Sequence, residues 1–335
     1  MKILYLRHNQ IDRIKWDATI AQSLCDLPYA YSWYLDVVCP MWEALVTEDY
    51  AYVMPLPLKK KWGISYLIHP IWVQQLGVFS AQEITDEVCR AFYHRIPYLM
   101  YDFNVNYLNK DCVSSLVSRV LCLKFLSKVN LIIPHNKNID PIRRGFSSNA
   151  RRNIAKAQKA GLRIGDVSVE DFVALWKLEN GSMRRDLHST IQPLVEECTM
   201  HNAQSTILSL GEKCTIIDPH CNTCSSKIGG QFKPHLFGVY KDDKLIASLF
   251  GMQTRGRFIY LIPVSNREGK ECSAMFMLVD YILENICCPQ GLTFDCEGSM
   301  IEGVARFYRG FGAVEQPYAQ ISRCRPQWVV KLLHR

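Results

Sequence analysis

The sequence lacks the features that would place the protein in or across a membrane. No window of about 18 residues is apolar and free of charge, so no transmembrane helix is expected. The opening stretch, MKILYLRHNQIDRIKW, has no apolar signal-peptide core, because Arg7, Asp12 and Arg13 interrupt each apolar run. These absences predict a cytoplasmic protein that does not insert into a membrane.

Low-complexity segments and visible repeats are also absent. What remains is an ordinary globular composition over 335 residues, a length that suits two domains. Lys and Arg exceed Asp and Glu by 39 − 32 = 7. That modest excess is compatible with a phosphate-bearing ligand and equally with a solvated surface.

The 14 cysteines are scattered along the chain and do not form a short disulfide framework. In the cytosol we expect them to be mostly reduced and packed as small hydrophobic side chains. One loop contains a Cys-x-x-Cys pair with a third Cys and a His nearby, which together could form a tetrahedral zinc set. The four residues are Cys214, His220, Cys221 and Cys224. Because a second Cys-x-x-Cys at zinc-ribbon spacing is missing, a redox pair and free thiols in a surface insertion stay open, and no metal is predicted.

The order of elements predicts an α+β protein with a domain junction near Pro134. The segment PHNKNIDPIRR is polar and rich in turn formers, which sets the predicted domains at 1–138 and 139–335. In the second half, strands and a hairpin turn at KDDK lead to strand Phe258–Val264. A polar loop then enters the very apolar helix Ala274–Asn285.

The loop SNREGKECS follows a strand and precedes a helix, an arrangement that can hold a phosphate. Backbone N–H groups and the helix dipole point at an anion there. Arg267 and Lys270 add positive charge, and Gly269 would let the backbone approach the ligand. The simpler interpretation is a solvated loop between two core elements.

The next strand ends in Asp295-Cys296-Glu297, with polar side chains gathering towards its carboxyl end. Side chains alternate along a strand, so Asp295 and Glu297 share one face. Either carboxylate could hold or deprotonate an amine. The alternative is a structural pair with a nearby base such as Arg306.

A basic stripe is predicted in the middle of the chain. Arg152, Lys156, Lys159 and Arg163 fall at helical spacing, on one face of a helix. Such a stripe could bind the phosphates of RNA or of a nucleotide-linked substrate, or it could be a solvated face.

Several segments resemble a known family. FYRGFGA resembles the helix-to-strand segment of GNAT acyltransferases, and the longer FDCEGSMIEGVARFYRGFGA resembles the matching part of the FemAB-like transferases. SSNARRNIAKAQKAGL is similar to the basic helix that links the two GNAT units of that family. GISYLIHPIWVQQLGVFS is similar to the first unit of a bacterial branch. The resemblance covers nearly the whole chain.

The resemblance implies two tandem GNAT units with mixed, mostly antiparallel central sheets flanked by helices, and a tail, 323–335, that can return to the first unit. It places Tyr308 at the general-acid position, with Glu297 or a water as base. The residues it assigns to the acyl donor are Arg267, Glu268, Gly269, Lys270, Ser273 and Val264. After Arg267 the loop reads EGKE, which departs from the Gln/Arg-x-x-Gly-x-Gly/Ala arrangement of standard GNAT enzymes.

The implied function is N-acyl transfer from an acyl-CoA, such as acetyl-CoA, to a small-molecule or peptide amine, with no tightly bound cofactor. A second hypothesis is a FemAB-like transferase that uses aminoacyl-tRNA to extend a cell-wall peptidoglycan precursor. No heptad run is present for the coiled-coil arm that often accompanies tRNA use, which weighs against it. A third is an inactive GNAT pair that only binds a partner.

Overall fold

The computed structural model describes residues 1–117, 123–183, 185–210, 232–298 and 300–323, with the side chains of 202–210 excepted. The chain forms two compact units. The first unit consists of Met1–Lys128 and the described residues from Pro317 onward, and the second of Val129–Gln316. The four residues of the hypothetical zinc set lie outside the described residues.

Runs of consecutive strands and runs of consecutive helices follow one another along the chain, as is typical of an α+β protein. The strands are β1 Ile3–Leu6, β2 Glu43–Thr47, β3 Tyr52–Leu56, β4 Leu58–Lys61, β5 Ile64–Ile68, β6 Phe79–Ser80, β7 Tyr101–Val105, β8 Leu123–Ile133, β9 Arg163–Gly165, β10 Lys233–Lys241, β11 Lys244–Gln253, β12 Arg257–Ser265, β13 Thr293–Asp295 and β14 Val314–Arg323. The helices are α1 Arg13–Gln22, α2 Ser32–Val38, α3 Asp86–His94, α4 Lys110–Val117, α5 Ile139–Arg144, α6 Ser148–Lys159, α7 Val169–Glu179, α8 Arg185–Leu210, α9 Arg267–Glu271, α10 Ala274–Ile282, α11 Cys288–Gln290 and α12 Glu302–Arg309.

The first unit contains an antiparallel sheet in the order β1-β2-β3-β6 and a mixed run of strands in the order β4-β5-β7-β14. β5 and β7 are parallel, whereas β7 and β14 are antiparallel. Their inward side chains meet α3 and α4 in a core that includes Met54, Leu67, Phe92, Phe103 and Val113.

In the first unit the chain after β5 returns beside β7. The Nδ1 atom of His69 accepts a hydrogen bond from the backbone N–H of Asn104 at 3.2 Å. Leu76 donates its backbone N–H to the carbonyl of Asn104 at 3.0 Å and accepts one from Asn106 at 2.7 Å. Leu76 also forms a parallel bridge with Val105. Residues 69–76 therefore occupy the edge of β7 where β5 ends.

The second unit is built on strands in the order β8-β13-β12-β11-β10-β9. β10 and β11 form the predicted hairpin, whose turn residues Asp242 and Asp243 have φ angles of 47° and 61°. β12 and β13 are parallel, and the remaining ladders are antiparallel. The predicted fold class, mixed and mostly antiparallel sheets flanked by helices, is thus confirmed.

Helices α6 and α10 pack together on the sheet of the second unit. Ser147 caps α6 by accepting a hydrogen bond from the N–H of Ala150, and Ala150, Ile154 and Ala157 form its buried face. α10 supplies Leu278 and Ile282 to the same core. Among the described residues no helix has the length and hydropathy needed to cross a membrane.

Two local expectations are corrected by the structure. Most cysteines were expected as thiols, but Cys89 and Cys112 form a disulfide that joins α3 to α4. Seven other cysteines of the described part are free. Arg163 does not continue the basic stripe of α6, because the helix ends at Lys159 and Arg163 begins β9. Its guanidinium stacks over the ring of Tyr240 at 4.8 Å.

Candidate active site

The two parallel strands of the second unit separate beyond a short ladder. β12 pairs with β13 only over Arg257–Ile259 and Thr293–Asp295. β12 then continues to Ser265, whereas β13 has ended. The ladder between β11 and β12 carries a register shift at the same level, which bends the strand. The second half of β12 is therefore left without β13 beside it.

A cavity of about 350 Å³ lies against this part of β12. Its volume is in the range of small-molecule sites. The walls come from β12, from α9 and the start of α10, and from α12. The lining residues are Tyr260, Pro263, Val264, Ser265, Gly269, Lys270, Ser273, Ala274, Met275, Phe276, Gly303, Val304, Phe307 and Tyr308. Apart from one lysine, two serines and two tyrosines, these side chains are apolar.

Tyr308 lies on α12 and lines the cavity, with 6% of its surface exposed. Burial raises the pKa of its phenol well above the ordinary value, and the neighbouring Tyr260, Cys296 and Glu297 raise it further. Within the described part of the chain its hydroxyl forms no hydrogen bond. The hydroxyl is not fully enclosed by described residues, so it can donate a hydrogen bond to a ligand in the cavity.

Tyr260 on β12 presents a second phenol to the same cavity. Its ring meets that of Tyr308 edge to face, with the centroids 5.9 Å apart and the planes at 84°. Burial raises its pKa as well. No described residue forms a hydrogen bond with its hydroxyl. Both phenols therefore stay protonated at neutral pH, and each can donate a hydrogen bond to a ligand in the cavity.

Asp295 is fully buried and already occupied by structural partners. Its Oδ2 accepts a hydrogen bond from Nη1 of Arg257 at 2.8 Å, and its Oδ1 accepts from Nδ2 of Asn130 at 2.9 Å. The backbone N–H of Glu297 also donates to Oδ1, at 2.9 Å. The carboxylate thus anchors the end of β13, and the predicted pairing of this segment with an arginine involves Arg257 instead of Arg306.

Glu297 follows β13 in a left-handed conformation with φ of 57°. Its carboxylate lies near enough to Tyr308 to raise the pKa of that phenol, yet it does not line the cavity. The hydrogen bond from its backbone to Asp295 fixes this turn. The structure thus places Glu297 near Tyr308 but not on the wall of the cavity.

Four of the six residues predicted for the acyl donor line the cavity: Val264, Gly269, Lys270 and Ser273. Gly269 is needed for packing, because a Cβ there would lie 2.4 Å from the carbonyl oxygen of Ile246. Its role is therefore to let α9 approach β11. The Nζ of Lys270 is 3.6 Å from Oε2 of Glu179, and its side chain is largely exposed, so it can turn to an anion.

Arg267 and Glu268 face away from the cavity. Arg267 is 93% exposed at its side chain and pairs with Glu271 on its own helix. Glu268 pairs with Lys241 at 2.9 Å and with Lys244 at 3.7 Å, and the Lys241 hydrogen bond lowers the pKa of Glu268. The loop expected here is a short helix, α9, and its curl turns these two side chains outward.

The phosphate end of a donor has one matching surface on the cavity wall, at the start of α10. Ser273 has a left-handed backbone there and donates its hydroxyl to Oδ1 of Asn153 on α6 at 2.8 Å. Ala274, Met275 and Phe276 follow as the first turn. The backbone N–H of Phe276 donates to the carbonyl of Ser273 at 3.1 Å, so the donors left without a helical acceptor are those of Ala274 and Met275. With Lys270 beside it, this turn fits a phosphate group.

Comparison with known proteins agrees with this geometry. Residues 225–297 match the family model of the acetyltransferase (GNAT) domain. The structure of FemX superposes with a TM-score of 0.60, covering 100% of both chains at 13% identity. A tandem GNAT protein from the clavulanic acid biosynthesis pathway gives a TM-score of 0.51, covering 96% of this chain and 98% of that one at 9% identity. The chain has the tandem GNAT fold.

A third structure has the same fold. The C-terminal domain assigned to a lysylphosphatidylglycerol synthetase of Agrobacterium fabrum gives a TM-score of 0.53, covering 96% of this chain and 94% of that one at 10% identity. No match was found among curated protein sequences. The resemblance to FemAB-like double-GNAT proteins is confirmed at the level of fold, and the matched GNAT segment contains β12, α10 and β13, which surround the cavity.

Within this tandem GNAT fold, the sequence pattern missed part of the cavity. Tyr260, Phe276 and Phe307 were not singled out, although all three line it. The available signal was alternation along strand 258–264, which sets Tyr260 on the side of Phe258, towards the core of the unit. An aromatic residue there was ambiguous, because the same position suits an ordinary core side chain.

Proposed function

We propose that the protein is an N-acyltransferase that binds an activated acyl donor in the cavity of the second unit. The observation that carries the proposal is the pair of phenols, Tyr260 and Tyr308, on the wall of an apolar cavity beside the open half of β12, whose hydroxyls are accessible and have no partner among the described residues. The first turn of α10 and Lys270 would hold the donor's phosphate, which supports an acyl-CoA type of thioester. The acceptor is an amine.

The transfer needs no covalent enzyme intermediate. The amine nitrogen attacks the thioester carbonyl, forms the N–C bond and gives a tetrahedral oxyanion. Collapse breaks the C–S bond, and the electron pair leaves on sulfur. The proton lost by nitrogen ends on sulfur, so amine and thioester become amide and thiol. Glu297 or a water carries the proton from the amine.

The phenols act as hydrogen-bond donors in this scheme. A thiol has an ordinary pKa near 8.5, below that of a phenol. Because the pKa of Tyr308 is raised further, complete proton transfer from Tyr308 to a thiolate is unfavourable. Tyr308 would therefore stabilise the departing sulfur by donating a hydrogen bond, and Tyr260 could donate to the oxyanion. Such donors typically supply about 10²–10³-fold in rate.

The same raised pKa favours one second candidate. An ester oxygen leaves as an alkoxide, which is far more basic than a thiolate and can take a proton from a phenol of high pKa. An aminoacyl ester of tRNA is such a donor, and the transferase would then extend a peptidoglycan precursor. The third hypothesis, a binding module without chemistry, gives no reason for two hydroxyls that face an apolar cavity and have no partner in the part of the chain that the structure describes.

The proposal is tested by Tyr308→Phe, which removes one hydroxyl and keeps the ring. Single-turnover assays would present acetyl-CoA, a longer acyl-CoA and an aminoacyl-tRNA with a panel of amines, and would identify the donor first. We expect turnover with that donor to fall about 10²-fold while its dissociation constant changes less than threefold. Full turnover by the variant would remove Tyr308 from the mechanism. Absence of binding by every donor would reject the transferase itself.

A further inference from the structure

The outer face of α6 carries positive charge that no described residue of the second unit neutralises. Arg152, Lys156 and Lys159 are exposed and fall at i, i+4 and i+7 on one side of the helix. Their opposite side, with Ala150 and Ile154, is buried. None of the three forms an ion pair with a described residue, and α6 itself contains no acidic side chain.

This stripe borders the phosphate end of the cavity. Asn153, one position after Arg152 and three before Lys156, accepts the hydrogen bond from the Ser273 hydroxyl at 2.8 Å. Ser273 lines the cavity, and so does Lys270. A ligand that enters with its phosphate at the first turn of α10 therefore emerges beside the stripe.

The basic stripe is too long, and lies too far outside the cavity, for a small donor bound in the cavity to contact all of it. Seven residues of α-helix span about 10 Å, and the three basic side chains point to solvent along that length. A partner that uses them must be extended and anionic. The apolar walls of the cavity, Met275, Phe276, Val304 and Phe307 among them, suit an acyl chain and a narrow arm.

We propose that the acyl donor is delivered by an acidic carrier protein, whose phosphopantetheine arm enters the cavity while an acidic helix of the carrier lies on Arg152, Lys156 and Lys159. This inference rests on the proposed acyltransferase function and specifies the carrier of the thioester. Three aligned cations match the carboxylates of one helix face. Three cations would release the counterions of only about three phosphates, which by itself gives a nucleic acid little affinity.

The test measures binding, because it then does not depend on the acceptor. The probes are an octanoylated holo carrier protein, octanoyl-CoA and an aminoacyl-tRNA, each titrated against the full chain. The variant is Lys156→Glu with Lys159→Glu, and Lys156→Gln with Lys159→Gln is a milder second variant that spares the helix end. The matched control is Lys59→Glu with Lys60→Glu, exposed on β4 of the first unit.

We expect the Glu pair to weaken octanoyl carrier binding at least tenfold and the Gln pair about threefold, with octanoyl-CoA binding changed less than twofold and the control unaffected. Raising the salt concentration should weaken carrier binding more steeply than CoA binding. If octanoyl-CoA binds but neither the Glu pair nor the Gln pair weakens carrier binding, the carrier proposal is wrong and the proposed transferase function is unaffected. If aminoacyl-tRNA binds more tightly and the pairs abolish that instead, RNA is the partner. If neither octanoyl-CoA nor the octanoylated carrier binds, both the carrier proposal and the proposed transfer from a thioester are wrong.

Discussion

Both units contain a short parallel strand pair, but the chain beyond the pair differs between them. Each contains a parallel pair, β5 with β7 and β12 with β13, in which the ladder is short. In the first unit residues 69–76 fold back and bond to the edge of β7. In the second unit the chain leaves β12 for α9 and α10, and a cavity remains. The pair in the first unit is therefore covered by its own chain, whereas the pair in the second unit leaves a cavity that a ligand can enter.

Polar side chains follow the same contrast. In the first unit the hydroxyl of Tyr93 donates to Oδ1 of Asn109, whose Nδ2 donates to the carbonyl of Val78. In the second unit the phenols of Tyr260 and Tyr308 have no partner among the described residues. The contrast teaches that burial of a tyrosine says little about its role, whereas the hydrogen bonding of its hydroxyl separates structure from function.

The largest expected effect on stability concerns Asp295, a residue of the second unit that is structural and not part of the cavity. Asp295→Asn should leave the buried guanidinium of Arg257 without its counter-charge and lower the free energy of unfolding by about 3–5 kcal/mol. Urea denaturation measures it. The control, Glu302→Gln at the exposed pair with Arg309, should change stability by less than about 1 kcal/mol. Equal losses in the two variants would contradict the structural role.

The second effect is a pH dependence that originates in the closed pair of the first unit. Burial lowers the pKa of His69 to about 4, and the neutral ring is the form that hydrogen bonds to Asn104 and Val73. Because the unfolded ring titrates near 6.5, the folded protein binds fewer protons between these values. This contribution is fully present above pH 6.5 and is lost as pH falls towards 4, up to about 3 kcal/mol.

His235 in the second unit has its pKa lowered to about 4 by burial as well, so the two rings should make comparable contributions to the dependence of stability on pH. His69→Gln should therefore reduce the slope of unfolding free energy against pH between 4.5 and 6.5. The remaining slope should include the contribution of His235. Chemical denaturation at a series of pH values measures it. An unchanged slope in His69→Gln would mean that residues 69–76 do not bury the ring.

The third effect compares matched hydroxyl deletions. Tyr93→Phe breaks the bond to Asn109 and should lower the free energy of unfolding by about 1–2 kcal/mol. Tyr308→Phe removes a hydroxyl that no described residue uses, so stability should change by less than about 0.5 kcal/mol. Thermal and urea unfolding of both variants make the comparison. A loss in Tyr308→Phe as large as in Tyr93→Phe would break the contrast between the units.

The smallest effect separates two bases of the donor segment. Lys270→Ala should weaken binding of a phosphate-bearing donor about three- to tenfold, because Lys270 lines the cavity. Arg267→Ala should change binding less than twofold, because its side chain points to solvent beside Glu271. Isothermal titration gives both constants. A larger loss for Arg267→Ala would show that α9 rearranges when the donor binds.

The fold could be predicted because its signals are local and ordered. Three local patterns predict individual elements: the hairpin turn at KDDK, the apolar helix α10 and the segment FYRGFGA. The order of these patterns along the chain indicates the tandem GNAT arrangement. The placement of single side chains was harder. Arg267 and Lys270 look alike in sequence, but one turn of helix sends them to different surroundings.

Partners distant in the chain escaped prediction altogether. Asp295 is bound by Asn130, which is 165 residues away, and by Arg257 on a neighbouring strand. Nothing in a single sequence marks those pairs, because the sheet order brings them together. The same holds for the contact of Ser273 with Asn153, which joins the cavity to the basic stripe.

The position of β14 has a consequence for synthesis on the ribosome. Residues of the first unit at 101–105 receive their antiparallel neighbour from the chain at 319–323, where Phe103 pairs with Ile321. At about 5–20 residues per second, roughly ten to forty seconds separate the emergence of these two segments. During that interval the edge of β7 is exposed in the nascent chain, so the amino-terminal unit cannot finish folding before the unit encoded after it. Molecules released before residue 319 would keep an unpaired strand and become preferred targets for chaperones and proteases.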